Sequence, residues 1–377
     1  MAEPLARMWD MMRLVRRGGP AICNVAVTNA CNATCEFCNF AHDKNKVGKL
    51  RWIDAGRFRH AIDILYARDV RYINFFGGET LLHPDLPDLV AMATEKGMGV
   101  IVITNGWLLS ARLDDLARAG LRTVAVSIDS ARLDEHESNR GLKGLGRRIA
   151  EANARMPALG MRPFAQVTMS RLVSDYQALI PMLRELGFFA LTFSYPQNTA
   201  LGSTTLAWSS DSELVNFTNK ELLSTFEAAD SLRDSFPVNN PRASMRDMKR
   251  HLRGEPEHFE CYGGYKSFYM DWNYDIWRCD RWAEPMCSVW DFPGTPLIRD
   301  ECKACIADCY RDSSVMLHFA VSIGDAFDQF SQGKIFAGLK MIADKRNFES
   351  LGAIMSNAKV LAHRGRVGTK ETKDAVH

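Results

Sequence analysis

Three cysteines lie close together near the start of the chain, in the segment Cys31-Asn-Ala-Thr-Cys35-Glu-Phe-Cys38. The apolar run Ile22–Val27 precedes them and predicts a β-strand. Loops at the carboxyl ends of parallel strands are where α/β proteins bind ligands. Three thiolates from such a loop can hold three irons of a [4Fe–4S] cluster and leave the fourth iron open. A zinc site completed by a distant histidine, or buried thiols without a metal, are the alternatives.

Two glycines and a glutamate, Gly77-Gly78-Glu79, end the next predicted strand at residues 72–76. Glycines let a backbone carbonyl approach a ligand closely, and Glu79 can accept a hydrogen bond from an ammonium group. Alone, this tripeptide would indicate an ordinary turn. Its position one strand after the cysteines, at the same end of the sheet, favours a shared site.

A second group of cysteines lies between residues 261 and 309, and Cys23 stands apart from both groups. In a reducing compartment such clusters indicate metal sites or catalytic thiols rather than disulfides. Residues 268–279 predict a β-hairpin around an Asn-Tyr-Asp turn, which would return Cys279 beside Cys261. Structural zinc is the alternative here. Cys23 falls within the first predicted strand, so we expect a packed core thiol.

Six apolar runs alternate with amphipathic helical patterns between residues 22 and 195. The last four are at residues 100–104, 123–128, 164–167 and 190–194. Six strand–helix units predict a parallel sheet, whereas a full eight-fold barrel would need two more. The chain is therefore predicted to be α/β. We expect an N-terminal helix at residues 1–20, a partial (β/α)6 TIM-type barrel at 21–235, a small cysteine-rich β-hairpin unit at 236–315, and a helical tail at 316–377.

The composition excludes several classes of protein. The chain has 377 residues, of which 46% are hydrophobic and 24% charged, with a formal net charge of +2. These values are typical of a globular protein and leave no basic field for non-specific nucleic-acid binding. No apolar run approaches the ~20 residues of a membrane span, and no signal peptide is recognisable. We therefore expect a cytoplasmic protein with no nucleic-acid partner.

The two motifs at the strand ends together resemble the radical S-adenosylmethionine (SAM) superfamily. The resemblance covers roughly residues 20–195 and includes the aromatic Phe37 before the third cysteine. It implies a partial (β/α)6 barrel and a SAM molecule that chelates the open iron through its amino and carboxylate groups. The implied ligands of the [4Fe–4S] cluster are Cys31, Cys35 and Cys38. The implied contacts of the SAM amino group are Gly77, Gly78 and Glu79.

Two further strand ends correspond to positions where the family contacts the ribose and methionine parts of SAM. Thr104 and Asn105 end the third strand, and Ser127 and Asp129 end the fourth. A hydroxyl and a carboxylate suit a ribose diol. For Ser127 and Asp129 a helix N-cap is the alternative.

Arg140 lies in a stretch, His136-Glu-Ser-Asn-Arg140, that is similar to the family's His-x3-Arg segment. Two roles are open for this arginine. It could pair with the SAM carboxylate, or it could bridge Glu135 or Glu137.

The second group of cysteines resembles the auxiliary-cluster extensions called SPASM, with two clusters, and twitch, with one. The SPASM pattern has seven cysteines and a glycine five positions before the second. Here there are six cysteines, and Tyr274 holds the glycine position. This departure favours one auxiliary [4Fe–4S] cluster, with the ligands Cys261, Cys279, Cys302 and Cys305. Cys287 and Cys309 would line the cluster, replace one of these ligands (more readily Cys309), or donate a hydrogen atom to a substrate radical.

The resemblance implies an oxidoreductase that reductively cleaves SAM to a 5′-deoxyadenosyl radical and abstracts a hydrogen atom from a substrate. The segment before the first strand is too short for a leader-binding domain, so we expect a small metabolite of sugar, cyclitol or nucleoside type. The auxiliary cluster would assist electron transfer, and flavodoxin or ferredoxin would supply electrons. A ribosomal peptide or a lipid-linked substrate is the alternative, as is a zinc-binding interaction protein without catalysis.

Overall fold

The computed structural model describes residues 2–38, 40, 49–196 and 212–362. One nine-stranded sheet runs through it, in the order β6-β5-β4-β3-β2-β1-β7-β8-β9. The order is linear, so the sheet is not closed, and strands β1 to β6 are mutually parallel. These six strands are β1 (Ala21–Ala26), β2 (Val70–Phe76), β3 (Gly99–Thr104), β4 (Thr123–Ile128), β5 (Arg162–Thr168) and β6 (Leu191–Ser194). The predicted partial barrel is confirmed, with strand bounds displaced by at most two residues.

Helices cover the parallel part of the sheet. The N-terminal helix α1 (Ala2–Arg16) precedes β1. The helices between the strands are α2 (Ala55–Ala67), α3 (Leu86–Glu95), α4 (Leu109–Arg118), α5 (Leu133–Arg140), α6 (Leu145–Arg155) and α7 (Leu179–Glu185). In α2, Asp54 caps the first turn by accepting from the Arg57 amide. The buried face of α2 is the predicted stripe Phe58, Ala61, Ile62 and Leu65.

The cysteine-rich segment continues the same sheet beyond β1. Strand β7 (Ser267–Met270) pairs in parallel with β1, so that Val25 lies between Phe75 of β2 and Met270 of β7. Strands β8 (Asp275–Trp277) and β9 (Cys287–Ser288) follow in antiparallel pairing. The predicted hairpin is therefore present, and it is attached to the edge of the barrel sheet.

Five helices complete the described part of the chain: α8 (Asn219–Ser231), α9 (Arg242–Arg253), α10 (Asp308–Ser331), α11 (Ile335–Ile342) and α12 (Lys345–Ala362). A capping box between Thr218 and Glu221 begins α8. The helical tail expected from residue 316 begins earlier, at Asp308, and residues 363–377 lie outside the described residues. Among the helices described, none combines the length and apolarity needed to cross a membrane.

Candidate cofactor and substrate site

A cavity of about 210 Å³ opens at the carboxyl ends of the parallel strands. Side chains from the cysteine loop, from the ends of strands β2 to β6 and from the start of α10 line it together. The predicted site residues among them are Cys31, Cys35, Phe37, Cys38, Gly77, Gly78, Thr104, Asn105, Ser127 and Arg140. The structure thus brings together in one cavity motifs that are up to about a hundred residues apart in sequence.

The glycines of the second motif lie against the chain that leads into the cysteine loop. The Gly78 amide donates to the Thr28 carbonyl at 2.8 Å, and the Glu79 amide donates to the Ala30 carbonyl at 2.7 Å. A Cβ on Gly77 or Gly78 would collide with these same two carbonyl oxygens, and Gly77 has a φ of 144°. The close contact between the two loops therefore requires both glycines, a reason that the sequence did not reveal.

Glu79 is buried and fixed by donors from two neighbouring segments. Its Oε1 accepts from the Leu81 amide at 3.0 Å and from the Thr104 hydroxyl at 2.5 Å, while Oε2 accepts from the Asn105 amide at 2.7 Å. Burial raises the pKa of Glu79, against the lowering effect of these hydrogen bonds. The Thr104 hydroxyl also accepts from the Gly106 amide, so its hydrogen bonds are made within the protein. Ser127, by contrast, is half-buried and lines the cavity.

Two asparagines hold the cysteine loop in place: Asn105, which the sequence analysis named for another role, and Asn139, which it did not single out. The Asn105 side-chain amide donates to Asn32 Oδ1 at 2.8 Å. On the other side of the loop, the Glu36 amide donates to Asn139 Oδ1 at 3.2 Å, and the Thr34 amide donates to the Arg140 carbonyl at 2.9 Å. The end of β3 and the end of α5 therefore support the loop from two directions. Asparagine is too common in loops for the sequence alone to have shown that Asn139 supports the cysteine loop.

Asp129 and Arg140 form a buried ion pair, which the sequence analysis did not predict for either residue. Arg140 Nε donates to Asp129 Oδ2 at 2.7 Å, and its Nη2 donates to Oδ1 at 2.5 Å. Asp129 is fully buried and caps no helix, since the N-cap of α5 is Arg132. Its carboxylate has no exposed surface, and its contact with the SAM ribose stays a prediction. Arg140 bridges neither Glu135 nor Glu137. Glu135 accepts from the Ser130 hydroxyl, and Glu137 accepts from the amides of residues 144 and 146.

The pair stays charged although it is buried. Burial opposes ionisation of Asp129, but Arg140 and His136 together hold the pKa of this carboxyl well below its usual range. The pKa of Arg140 is raised: burial lowers it, and the stronger attraction of Asp129 and of the nearby thiols outweighs this. Arg140 also lines the cavity, so one fixed positive charge stands beside the cysteine loop.

The three thiols of the loop are suited to a metal cluster. Burial raises the pKa of Cys31 to about 11 and that of Cys35 to about 12, and Cys38 raises both further. Such thiols become thiolates when a metal supplies positive charge, and Arg140 assists. In the described parts of the chain no group of three or more His, Cys, Asp or Glu side chains is formed that could hold a metal ion. A [4Fe–4S] cluster makes a different demand, because each thiolate binds a different iron.

Four cysteines of the second group gather around Ala307 and Tyr310; they are the predicted set Cys261, Cys279, Cys302 and Cys305. The Cys261 amide donates to the Cys302 carbonyl at 3.0 Å, which joins two distant segments. Burial and the neighbouring thiols raise the pKa of Cys261 to about 12 and that of Cys305 to about 12. The donor set fits a [4Fe–4S] cluster held by four thiolates.

The two remaining cysteines of this group lie in different places. Cys287 is on β9, where its neighbours are Thr295, Asp291 and Arg68, away from both sets of thiols. Cys309 lies in the first turn of α10 and lines the cavity, and Cys305 and Cys279 act on its thiol. Of the two, Cys309 is therefore the one near the predicted auxiliary ligands, in line with the preference stated from the sequence. Cys23 is fully buried in β1, so the predicted core thiol is confirmed.

The side of the cavity opposite the cysteine loop is acidic. Asp280 follows β8, and Asp308 begins α10. Burial, reinforced by Asp312, raises the pKa of Asp308 to about 8, and burial raises that of Asp280 to about 6. Sequence reasoning had no signal for this feature, because isolated aspartates at helix starts are common caps.

Comparison with known proteins shows which family the part of the chain around the site resembles. Residues 25–173 match the family model of the radical SAM superfamily. The GTP 3′,8-cyclase of Chlorobaculum tepidum is 40% identical over 108 residues, which are 28% of this chain and 32% of that protein. The antilisterial bacteriocin subtilosin biosynthesis protein AlbA of Bacillus subtilis is 24% identical over 192 residues, 50% of this chain and 42% of AlbA. The chain thus spans less than half the length of either relative.

A solved structure also matches the fold of this chain. Streptococcus suis SuiB bound to S-adenosylmethionine superimposes with a TM-score of 0.53 and 16% identity, covering 74% of this chain and 65% of SuiB. At that identity the likeness concerns the fold alone. The range that matches the family model contains the cysteine loop, the Gly-Gly-Glu segment and the Asp129–Arg140 pair. The superfamily implies a [4Fe–4S] cluster and SAM as cofactors. Residues 25–173 therefore resemble the radical SAM domain, which occurs in enzymes that work with these two cofactors.

Proposed function

We propose that the protein is a radical SAM oxidoreductase that abstracts a hydrogen atom from a small biosynthetic metabolite. One observation carries this proposal: the cysteine loop, the Gly77-Gly78 backbone and the ends of β3 and β4 line a single cavity. That convergence is what cofactor binding and substrate binding at one place require. The match of residues 25–173 to the radical SAM superfamily supports it and argues against a zinc-binding interaction protein without catalysis.

In this proposal Cys31, Cys35 and Cys38 hold the first cluster. The bound cluster and SAM together supply a 5′-deoxyadenosyl radical, the species that takes hydrogen from an unactivated C–H bond. The residues of the chain bind and orient. Phe37 closes the cavity beside the loop, and the backbone at residues 77 and 78 offers carbonyls to the amino group of SAM.

The remaining predicted contacts divide into two kinds. Ser127 is available to the SAM ribose, and Arg140 offers its positive charge to the SAM carboxylate. Glu79, Thr104 and Asn105 bond mainly to one another, so we assign to them the positioning of the loop that meets the amino group.

We further propose one auxiliary [4Fe–4S] cluster, assisting electron transfer, on Cys261, Cys279, Cys302 and Cys305. Their gathering around Tyr310, which also lines the cavity, supports this proposal. We keep the division of the chain into residues 1–20, 21–235, 236–315 and 316–377, with the third segment holding this cluster. An electron donor such as flavodoxin or ferredoxin would act in the cytoplasm, and the lack of disulfides among the ten described cysteines suits its reducing conditions.

For the substrate we propose a sugar, cyclitol or nucleoside. The free space beyond the cysteine loop is lined by polar side chains at strand ends, including Asn24, Gln166, Thr168 and Ser194. Such groups suit a polyhydroxylated molecule. The second candidate is a ribosomal peptide, which the similarity to AlbA over half of the chain favours. A lipid-linked substrate is a third, since Phe336 on α11 is 90% exposed.

The test is formation of 5′-deoxyadenosine by anaerobically purified protein supplied with dithionite and SAM. The wild type should form it and contain about eight irons per chain, the content of two [4Fe–4S] clusters. A Cys31→Ala/Cys35→Ala/Cys38→Ala variant should form none and keep about four irons. Cys287→Ser is the matched control, because that thiol lies away from both sets, and it should behave as the wild type. A triple variant that still cleaves SAM would contradict the proposal.

A further inference from the structure

Two carboxylates face the cavity from the side opposite the cysteine loop. Asp280 comes from the segment after β8, and Asp308 comes from the start of α10. They reach the cavity from separate elements, and Asp280 contributes to the raised pKa of Asp308. Neither is used by the cofactor contacts described above.

Asp280 lacks the partner that a buried carboxylate needs. Its side chain is 6% exposed, and its Oδ1 is buried without a hydrogen-bond partner in the described part of the structure. An unsatisfied buried polar group costs about 1–3 kcal/mol, and more when it is charged. Asp308 is only partly satisfied, because its Oδ1 accepts one long hydrogen bond, 3.3 Å from the Tyr195 amide.

On the cofactor side of the same cavity, the charged side chains have their hydrogen-bond partners. Arg140 is paired with Asp129 through two hydrogen bonds, and Glu79 accepts from three donors. Unmet acceptor capacity is therefore concentrated on the side where a substrate would lie. A ligand that brings hydrogen-bond donors and positive charge would satisfy it.

We propose that the substrate carries a protonated amine, which Asp280 and Asp308 bind. This inference rests on the proposed function, since it takes the free space of the cavity as the substrate site. The ammonium group offers three donors, enough to reach carboxylates on two elements, and holds the rest of the molecule toward Ser127 and the cysteine loop. Charge-assisted hydrogen bonds are about twice as strong as neutral ones, so an amine is favoured over a hydroxyl at the same place.

The experiment compares binding of matched cationic and neutral probes to the anaerobic, cluster-loaded protein with SAM. The pairs are D-glucosamine with D-glucose, 3′-amino-3′-deoxyadenosine with adenosine, and putrescine with 1,4-butanediol, each measured by calorimetry. In at least one pair the amine should bind at least about tenfold more tightly, as expected for one added charge-assisted interaction. Asp308→Asn and Asp280→Asn should each reduce that preference about tenfold. Asp328→Asn, an exposed aspartate on the same helix, is the matched control and should retain it.

Absence of a preference for the amine in all three pairs would overturn the inference, as would a preference that survives in both variants. Iron content is measured for each variant, because Asp280 adjoins a proposed cluster ligand; if that variant loses iron, Asp308→Asn alone decides. The readout is equilibrium binding without turnover. A protein that prefers amines but forms no 5′-deoxyadenosine would refute the proposed function and leave this inference standing.

Discussion

Removal of Arg140 should destabilise the protein through the charge that it leaves behind. In an Arg140→Met variant, Asp129 remains fully buried and loses both of its hydrogen bonds to the guanidinium, at 2.7 and 2.5 Å. The Asn139 amide, at 2.8 Å, still donates to this carboxylate, and His136 Nδ1 lies 3.6 Å from it. Breaking a buried ion pair from one side costs about 3–5 kcal/mol of folding free energy, because the unpaired charge is the expensive element.

The double variant Asp129→Asn/Arg140→Met separates this explanation from a loss of packing. With no buried charge left, it should regain most of the loss and unfold within about 2 kcal/mol of the wild type. Unfolding is followed by urea denaturation of the cluster-free protein, so that metal content does not enter the result. An Arg140→Met variant that loses less than about 1 kcal/mol, or a double variant no more stable than the single one, would refute the reasoning.

Three further outcomes follow from single contacts. Tyr274→Gly should lower the free energy of unfolding in urea by about 2–4 kcal/mol. The loss of a buried aromatic side chain exceeds the ~1 kcal/mol of backbone strain that glycine would relieve at the φ of 70° of this residue. An unchanged stability would mean that the packing of Tyr274 is unimportant. Burial, aided by Arg346, lowers the pKa of His318 to about 4. As the pH falls from about 6.5 to 4, this histidine is therefore protonated in the unfolded chain before it is protonated in the folded one. The free energy of unfolding should fall by up to about 3 kcal/mol across that pH range. His318→Gln should flatten this pH dependence, and an unchanged slope would contradict it. Cys309→Ser should keep about eight irons per chain, whereas Cys305→Ser should lose about four; the reverse order would exchange the two thiols as cluster ligands.

The strands could be predicted because they are short runs made mostly of apolar residues. In β4, for example, four of the six residues are apolar, and only the ends of such a strand are uncertain. The cysteine loop was equally recognisable, since thiols are rare and their spacing limits the metals they can hold. Both signals are local in sequence, which is why the fold of residues 21–194 was recoverable and the cysteine loop could be singled out as a candidate metal site.

The contacts around the site could not be predicted in the same way. Asp129 and Arg140 are eleven residues apart, and their pairing depends on how α5 returns across the end of β4. Asn139 and Glu36 are 103 residues apart, and each stands at a position that its motif leaves unspecified. Cys305 and Cys309 were separated by the point at which α10 begins, because the first turn of this helix directs Cys309 to the cavity. Tertiary geometry, and not residue type, decides each of these cases.

The pairing of β7 with β1 has a consequence for how the protein holds together. Without the cysteine-rich segment, β1 would present a row of unpaired amides and carbonyls, and such open strand edges promote aggregation. The segment therefore covers the β1 edge of the parallel sheet as well as carrying thiols. A fragment ending at residue 235 would be expected to associate with itself, and unfolding of either half should expose the backbone of the other.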